Sequence, residues 1–268
     1  MTETTPSPAV LVERRGHVMI VTLNRPEARN AINETVWLGA GEALAEAERD
    51  VEVRVVVITG AGDQSFCAGA DLKALSRGER IAPEDPVKLA WGFAGIVSHC
   101  ISKPLIAAVN GTALGGGTEI TLACDLAIAA DSASFGLPEV KRGILAGAGG
   151  AFRLVQQLPR KIGMEMLLTG DPITAARALE LGLVNAVVPR EGLLDAALAL
   201  AGRIAVNAPL SVQASKRIAL GIADGRIASD DAGWAQTRQE SGTVMRSQDA
   251  REGPRAFAEK RAPVWKGC

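Results

Sequence analysis

Residues 105–119 read LIAAVNGTALGGGTE, and the fold follows from how this stretch is parsed. Leu105 to Val109 is an unbroken apolar run of strand length, the pattern of a strand covered on both faces as in parallel sheets. Asn110-Gly111 is a turn pair that ends it. Leu114 to Cys124 then reads as a helix and Leu126 to Ala129 as a short strand. The same alternation holds upstream. Val18 to Leu23 (VMIVTL) and Val53 to Thr59 are buried-type strands, the second stopped by Gly60 and Gly62. Between them, from Asn33 to Arg49, Val36, Leu38, Ala40, Leu44 and Ala47 recur at helical spacing, with Asn33 as the cap. Strands alternating with helices predict an α/β protein with a largely parallel sheet.

Downstream of Gly147 strand-like text is confined to Leu183 to Val188. Helices are predicted over 148–157, 160–168, 174–181, 191–206, 209–223, 230–246 and 250–260. The last of these lack strands to cover, so they are expected to pack on the first domain or on another subunit. The chain is accordingly divided into a core over 10–199 and a helical region over 200–268, and a homo-oligomer is expected. Residues 1–9 read as a disordered tip, and the polar, Pro-containing stretch Arg77 to Val87 as a lid or a linker.

Composition removes several function classes. With 29 Lys and Arg against 30 Asp and Glu the net charge is −1, without the basic excess that a nucleic-acid partner requires. Aromatic residues make up 3% and Tyr is absent, which removes stacking platforms and one general acid. Cys67, Cys100, Cys124 and Cys268 have no close spacing and read as free thiols, and His17 and His99 do not form a metal motif. A metal-free mechanism is expected. The opening MTETTPSPAV is not basic then apolar, and no apolar run approaches the ~20 residues of a membrane span, so a soluble cytoplasmic chain with no membrane partner is expected.

Three Gly-dense turns, at 66–72, 110–119 and 146–151, would let backbone N–H groups approach a ligand. None ends in the Gly-Lys-Ser/Thr of a P-loop and none fits the dinucleotide fingerprint, which excludes NTP cleavage and a nicotinamide cofactor. Glu119 stands in apolar text after the triple glycine, where a carboxylate either caps a helix or does acid–base work with a raised pKa. Glu139 follows Pro138 in another apolar loop, far enough on for a strand to return it beside Glu119. Two carboxylates sharing a water would be an acid–base device. Two satisfied structural carboxylates fit the same spacing.

The ordered set Asn24-Arg25-Pro26, CAGADLK at 67–73, KPLIAAVNG at 103–111, the triple glycine with Glu119, Cys124-Asp125, FGLPE at 135–139, GAGG at 147–150 and Leu168-Thr169-Gly170 resembles the crotonase superfamily, the enoyl-CoA hydratase/isomerase family, over about residues 10–265. The resemblance implies a spiral of ββα turns followed by an α-helical trimerisation region. It implies an acyl-CoA thioester substrate, no separate cofactor since coenzyme A is part of the substrate, and a trimer or dimer of trimers. Carried over by position, the amides of Ala70 and Gly116 form an oxyanion hole. Glu119 acts as base on a water, Glu139 supplies a proton to the α-carbon, and the Gly147 amide positions the water. Coenzyme A runs along Arg25, Ala28, Ala68, Asp71, Leu72 and Lys73, and Phe257 and Lys260 match positions that reach a neighbouring subunit's ligand. The implied activity is reversible syn addition of water to a 2-enoyl-CoA, with enoyl-CoA isomerase or a non-catalytic acyl-CoA-binding role as alternatives. Ala146, Thr118 and the 74–98 loop depart from the common pattern and leave the acyl group open. The ending 252–267 is similar to that of carnitinyl-CoA dehydratases, which admits a branched or polar 3-hydroxyacyl group.

Overall fold

Strands that are apolar at every position need cover on both faces, and the computed structural model, which describes residues 7–268, shows what supplies it. β1 (Val10–Arg15) and β2 (Val18–Leu23) form an antiparallel hairpin, followed by α1 (Glu34–Arg49), β3 (Val55–Gly60), β4 (Ser65–Cys67), α2 (Leu72–Ser76) and α3 (Pro86–Ala90). Next come β5 (Leu105–Val109), β6 (Thr112–Leu114), α4 (Gly116–Ala123), β7 (Leu126–Ala130) and β8 (Ser134–Gly136). A 3₁₀ turn at Pro138–Arg142 leads to α5 (Gly150–Gln157), α6 (Arg160–Thr169), β9 (Ile173–Thr174), α7 (Ala175–Glu180), β10 (Ala186–Val188) and α8 (Leu193–Ala205). The chain ends with α9 (Pro209–Leu220), the hairpin β11 (Ile222–Ala223) and β12 (Arg226–Ile227), α10 (Asp231–Val244) and α11 (Asp249–Ala258).

The large sheet runs β1-β2-β3-β5-β7-β10, parallel from β2 onward. Alternate residues serve two cores. Val56, Ile58, Ala107 and Val109 join Val36, Trp37, Ala40 and Leu44 of α1, whereas Val55, Val57, Ile106 and Ala108 face Leu193, Ala197, Ala201 and Ala205 of α8. The four-residue spacing of that second set lays one small-residue stripe along α8, which lets the helix sit close to the strands. Residue 200, where the sequence reading divides the chain, falls inside this helix.

A second sheet, β4-β6-β8-β9, stands beside the first, so β3–β4, β5–β6 and β7–β8 are successive steps from one sheet to the other. The expected helix from Leu114 is corrected here: Thr112–Leu114 is a strand and the helix opens at Gly116. Buried asparagines hold the corners. Asn110 Oδ1 accepts from Gly60 N at 3.1 Å and its Nδ2 donates to Gly62 O at 3.0 Å, while Asn30 Nδ2 donates to Ala61 O and Ser65 O at 2.9 and 2.8 Å. Of the expected disordered tip, residues 1–6 lie outside the described residues, and Ser7 and Pro8 accept hydrogen bonds from Asn24 Nδ2. Within the 77–87 stretch the Asp85 carboxylate caps α3, so Pro86 and Val87 already belong to a helix.

Candidate active site

β5 and β6 deliver the chain to Gly115, in the left-handed region at φ +55°, and α4 begins on the next residue. A Cβ on Gly116 would run into the Phe93 ring and one on Gly117 into the Cys67 carbonyl, so only bare backbone lets these elements close over the start of the helix. The turn that holds Ala70 is clamped on either side, with Ile32 N donating to Gly69 O at 2.8 Å and Asp71 N to Ile32 O at 2.9 Å. Among the described residues neither the Ala70 amide nor the Gly116 amide donates to a protein acceptor. Both remain available to an oxygen from outside the chain.

Glu119 lies in the first turn of α4 and is 3% exposed. Its Oε1 leaves its own helix and accepts from Ala148 N at 2.7 Å and Gly150 N at 2.9 Å, at the start of α5. Glu139 sits on the turn after β8, and that turn is stitched to α4. Thr118 Oγ1 donates to Ala113 O at 2.7 Å and accepts from Gly136 N at 3.0 Å, and Gly115 N donates to Gly136 O at 2.9 Å. Glu139 Oε1 lies against Gly115, 2.8 Å from where a Cβ would stand, while its buried Oε2 has no partner among the described residues.

Burial raises the Glu119 pKa, and the neighbouring Glu139 raises it further; the Gly150 and Ala148 amides and the Arg153 charge oppose both. Burial also raises Glu139, against which only its own backbone amide acts. Two carboxyls thus keep protons into the neutral range beside two free amides, the equipment for moving protons next to a carbonyl that becomes an oxyanion.

The model of the enoyl-CoA hydratase/isomerase family matches residues 13–268. The chain belongs to this family. Carnitinyl-CoA dehydratase of Salmonella typhi is 42% identical over 266 residues, covering 97% of this chain and 99% of that one. A crystal structure of carnitinyl-CoA hydratase from Mycobacterium avium shares 60% identity and a TM-score of 0.96, over 98% of this chain and 100% of that one. Enoyl-CoA hydratase from Mycobacterium tuberculosis H37Rv shares 44% identity and a TM-score of 0.75 over the same fractions. The α/β crotonase fold implied by the motifs is therefore the fold of this chain.

Within this family member the structure brings Glu119, Glu139, Gly116 and the Ala70 turn together. Arg25 and Asp71, expected along coenzyme A, spend their side chains on each other: Arg25 Nη2 donates to Asp71 Oδ2 at 2.9 Å, and Asp71 Oδ1 caps α2 through Ala74 N at 3.0 Å. These contacts hold the turn. Ala68, Leu72 and Lys73 are exposed beside it and Ala28 is half-buried. Gly147 is exposed at the mouth of the third Gly turn, but the amides on Glu119 are those of Ala148 and Gly150. Phe257 is on α11, 54% exposed, with its ring centroid 4.0 Å from the Arg142 guanidinium at the end of the Glu139 turn; Lys260 follows the helix and is exposed. Sequence reasoning missed Phe93, for which no local signal exists, and Ala148 and Gly150, for which the third Gly turn opening a helix was the signal.

Proposed function

We propose that this protein is a hydro-lyase that adds water reversibly and with syn geometry to a 2-enoyl-CoA, giving a 3-hydroxyacyl-CoA. The observation that carries this reading is the unequal pair of buried carboxyls: Glu119 held by two amides and Glu139 with an orphan oxygen, both beside the open start of α4. The pair shares one proton: when it rests on Glu139, the charge that raises Glu119 is gone and the two amide donors favour the ionised form of Glu119, which then serves as base. A water between them gives a proton to Glu119 as its oxygen bonds to the β-carbon. The π electrons of the double bond move onto the thioester oxygen, which the Ala70 and Gly116 amides receive. Reforming the carbonyl, the α-carbon takes the proton of Glu139. Dehydration runs the same steps backwards. Gly147 lies next to the Glu119 donors and completes the water site.

The thioester binds with its coenzyme A part along Arg25, Ala28, Ala68 and the Asp71–Lys73 turn, and no separate cofactor is required. Similarity to carnitinyl-CoA hydratase and dehydratase supports a polar, branched acyl group, carnitinyl in the first place. Assembly into trimers is part of the proposal. Leu210 and Ile218 on α9, a helix with no buried residue, are 77% and 82% exposed, as is Val206 just before it at 82%, and a partner subunit would cover them.

The test mixes the protein with crotonyl-CoA and, separately, with the enoyl thioester that dehydration of carnitinyl-CoA yields, following the ultraviolet absorbance of the conjugated enoyl thioester. Loss of absorbance with either supports a hydratase, and the faster substrate assigns the acyl group. Thioester binding with no change in absorbance on either would replace the reading with a non-catalytic acyl-CoA-binding role. Sedimentation as a monomer at micromolar concentration would overturn the trimer.

A further inference from the structure

Behind the carboxyl pair lies a cation that no step above uses. Arg153 is on α5, one turn after the amide of Gly150 that holds Glu119, and both it and Asp230 are 6% exposed. Its Nε and Nη2 donate to Asp230 Oδ2 at 3.0 and 2.8 Å, and its Nη1 donates to Val97 O at 2.8 Å. The guanidinium also lies 5.6 Å from the Phe152 ring centroid and 5.4 Å from that of Trp234. Each partner belongs to a different part of the molecule. Asp230 and Trp234 come from the C-terminal helical region. Val97 follows the segment 92–95, in which Gly92, Ala94 and Gly95 all have positive φ and which sets Phe93 against Gly116. α5 itself presents the two amides to Glu119.

Resting on the hydratase reading of the glutamate pair, we propose that Arg153 is a positioning residue for Glu119. It braces the helix start whose Ala148 and Gly150 amides hold Glu119, and its buried charge adds to theirs in favouring the ionised form against burial and the Glu139 charge, with Asp230 as its counter-charge. Burying a lone guanidinium is costly, and Asp230 offsets that cost. The same side chain fixes the carbonyl of Val97, so the donors of Glu119 and the ring that covers the oxyanion amide rest on one group. The titratable groups that face Glu119 are Glu139 from the 138–142 turn, Cys67 from β4 and Arg153 from α5. Facing Arg153 are Asp230, Cys100 and Cys124.

Because Arg153 and Asp230 act with opposite sign, their substitutions separate positioning from mere support. Arg153→Met should raise the acid limb of the kcat profile by about one pH unit and lower kcat at neutral pH roughly tenfold, with KM changed less than about threefold. Asp230→Asn should move the limb down, since Arg153 then acts on Glu119 unscreened. Arg153→Lys should return the limb to its wild-type position while recovering only part of kcat, since one ammonium cannot serve both Asp230 and Val97. Carbon-13 NMR of glutamate-labelled protein, with the Glu119 signal identified by its loss in Glu119→Gln, follows the same titration without turnover. Limbs and Glu119 titrations that stay at the wild-type position, or that move the same way in Arg153→Met and Asp230→Asn, overturn the proposal. If Arg153→Met does not fold, Asp230→Asn decides by the sign of its shift alone. Should the wild type hydrate no thioester while the NMR titrations shift as stated, the hydratase reading fails and the role of Arg153 in setting Glu119 stands.

Discussion

The two carboxyls of the site are buried side by side yet belong to differently built regions. Glu119 projects from a regular helix into the start of a second one, and both of its hydrogen bonds to the protein fall on one oxygen. Glu139 projects from a short turn that is anchored at one end by Thr118 and at the other by its own Arg142 packed on Phe257 of α11, and it keeps one oxygen without a partner among the described residues. Protein dipoles solvate the first carboxylate, whereas the second awaits its partner from water or substrate. Under the proposed reaction the pair shares one proton, and with it on Glu139 that asymmetry leaves Glu119 as the base although burial raises both.

The strongest way to break the comparison is to neutralise each side. Glu139→Gln and Glu119→Gln should each lower kcat by about 10²–10⁴-fold, and the double variant should be no slower than the worse single one because the pair acts as a unit. Steady-state kinetics on the responsive thioester reads this, and additive losses would show two independent roles. Removing the stitch is the next largest change. Thr118→Val keeps the shape but leaves the Gly136 amide and the Ala113 carbonyl unserved, and should cost about 1–3 kcal/mol in denaturant unfolding, with kcat falling as the Glu139 turn loosens.

The pH dependence of stability sharpens the contrast further. A carboxyl whose folded pKa is raised binds protons that the unfolded chain has released, so its contribution is full below the ordinary 4.5 and is lost as pH rises towards about 8 for Glu119 and about 7 for Glu139. Glu119→Gln should therefore gain on the wild type between pH 5 and pH 8, at up to about 1.4 kcal/mol per pH unit, in urea melts run across that range. A constant difference between the two would mean that Glu119 is not protonated on folding. The smallest effect belongs to the outside of the Glu139 turn. Phe257→Leu removes the ring from Arg142 and should cost about 0.5–1 kcal/mol of stability. A rise in KM for the thioester, in excess of that small loss, would instead mark Phe257 as a ligand contact.

Strands β2, β3 and β5 of the large sheet were readable because four or five consecutive apolar residues need no long-range information to mark a strand buried on both faces. The three-residue strands β4, β6 and β8 were not, since a period of two cannot declare itself in three positions. Thr112–Leu114 was accordingly merged into the turn and helix that follow. For Glu119 the residues offered capping and acid–base work as alternatives, and the structure joins them: the carboxylate does receive a helix start, but that of α5 rather than its own. Gly147 is carried over from the family resemblance as a water-positioning amide, and the amides that reach Glu119 are those of its neighbours Ala148 and Gly150.

Burial period, turn residues and ordered motifs along the chain were sufficient for the alternation of strands and helices, the family and the two glutamates, because each is a property of neighbouring residues. Which amides serve Glu119, which oxygen of Glu139 is left unserved and which cation stands behind them depend on groups 29, 31 and more residues apart. Such partners meet only when the two sheets have closed over the start of α4, and a hydrogen bond needs its partner within about 3 Å, a condition that assembled tertiary structure imposes and local sequence does not encode.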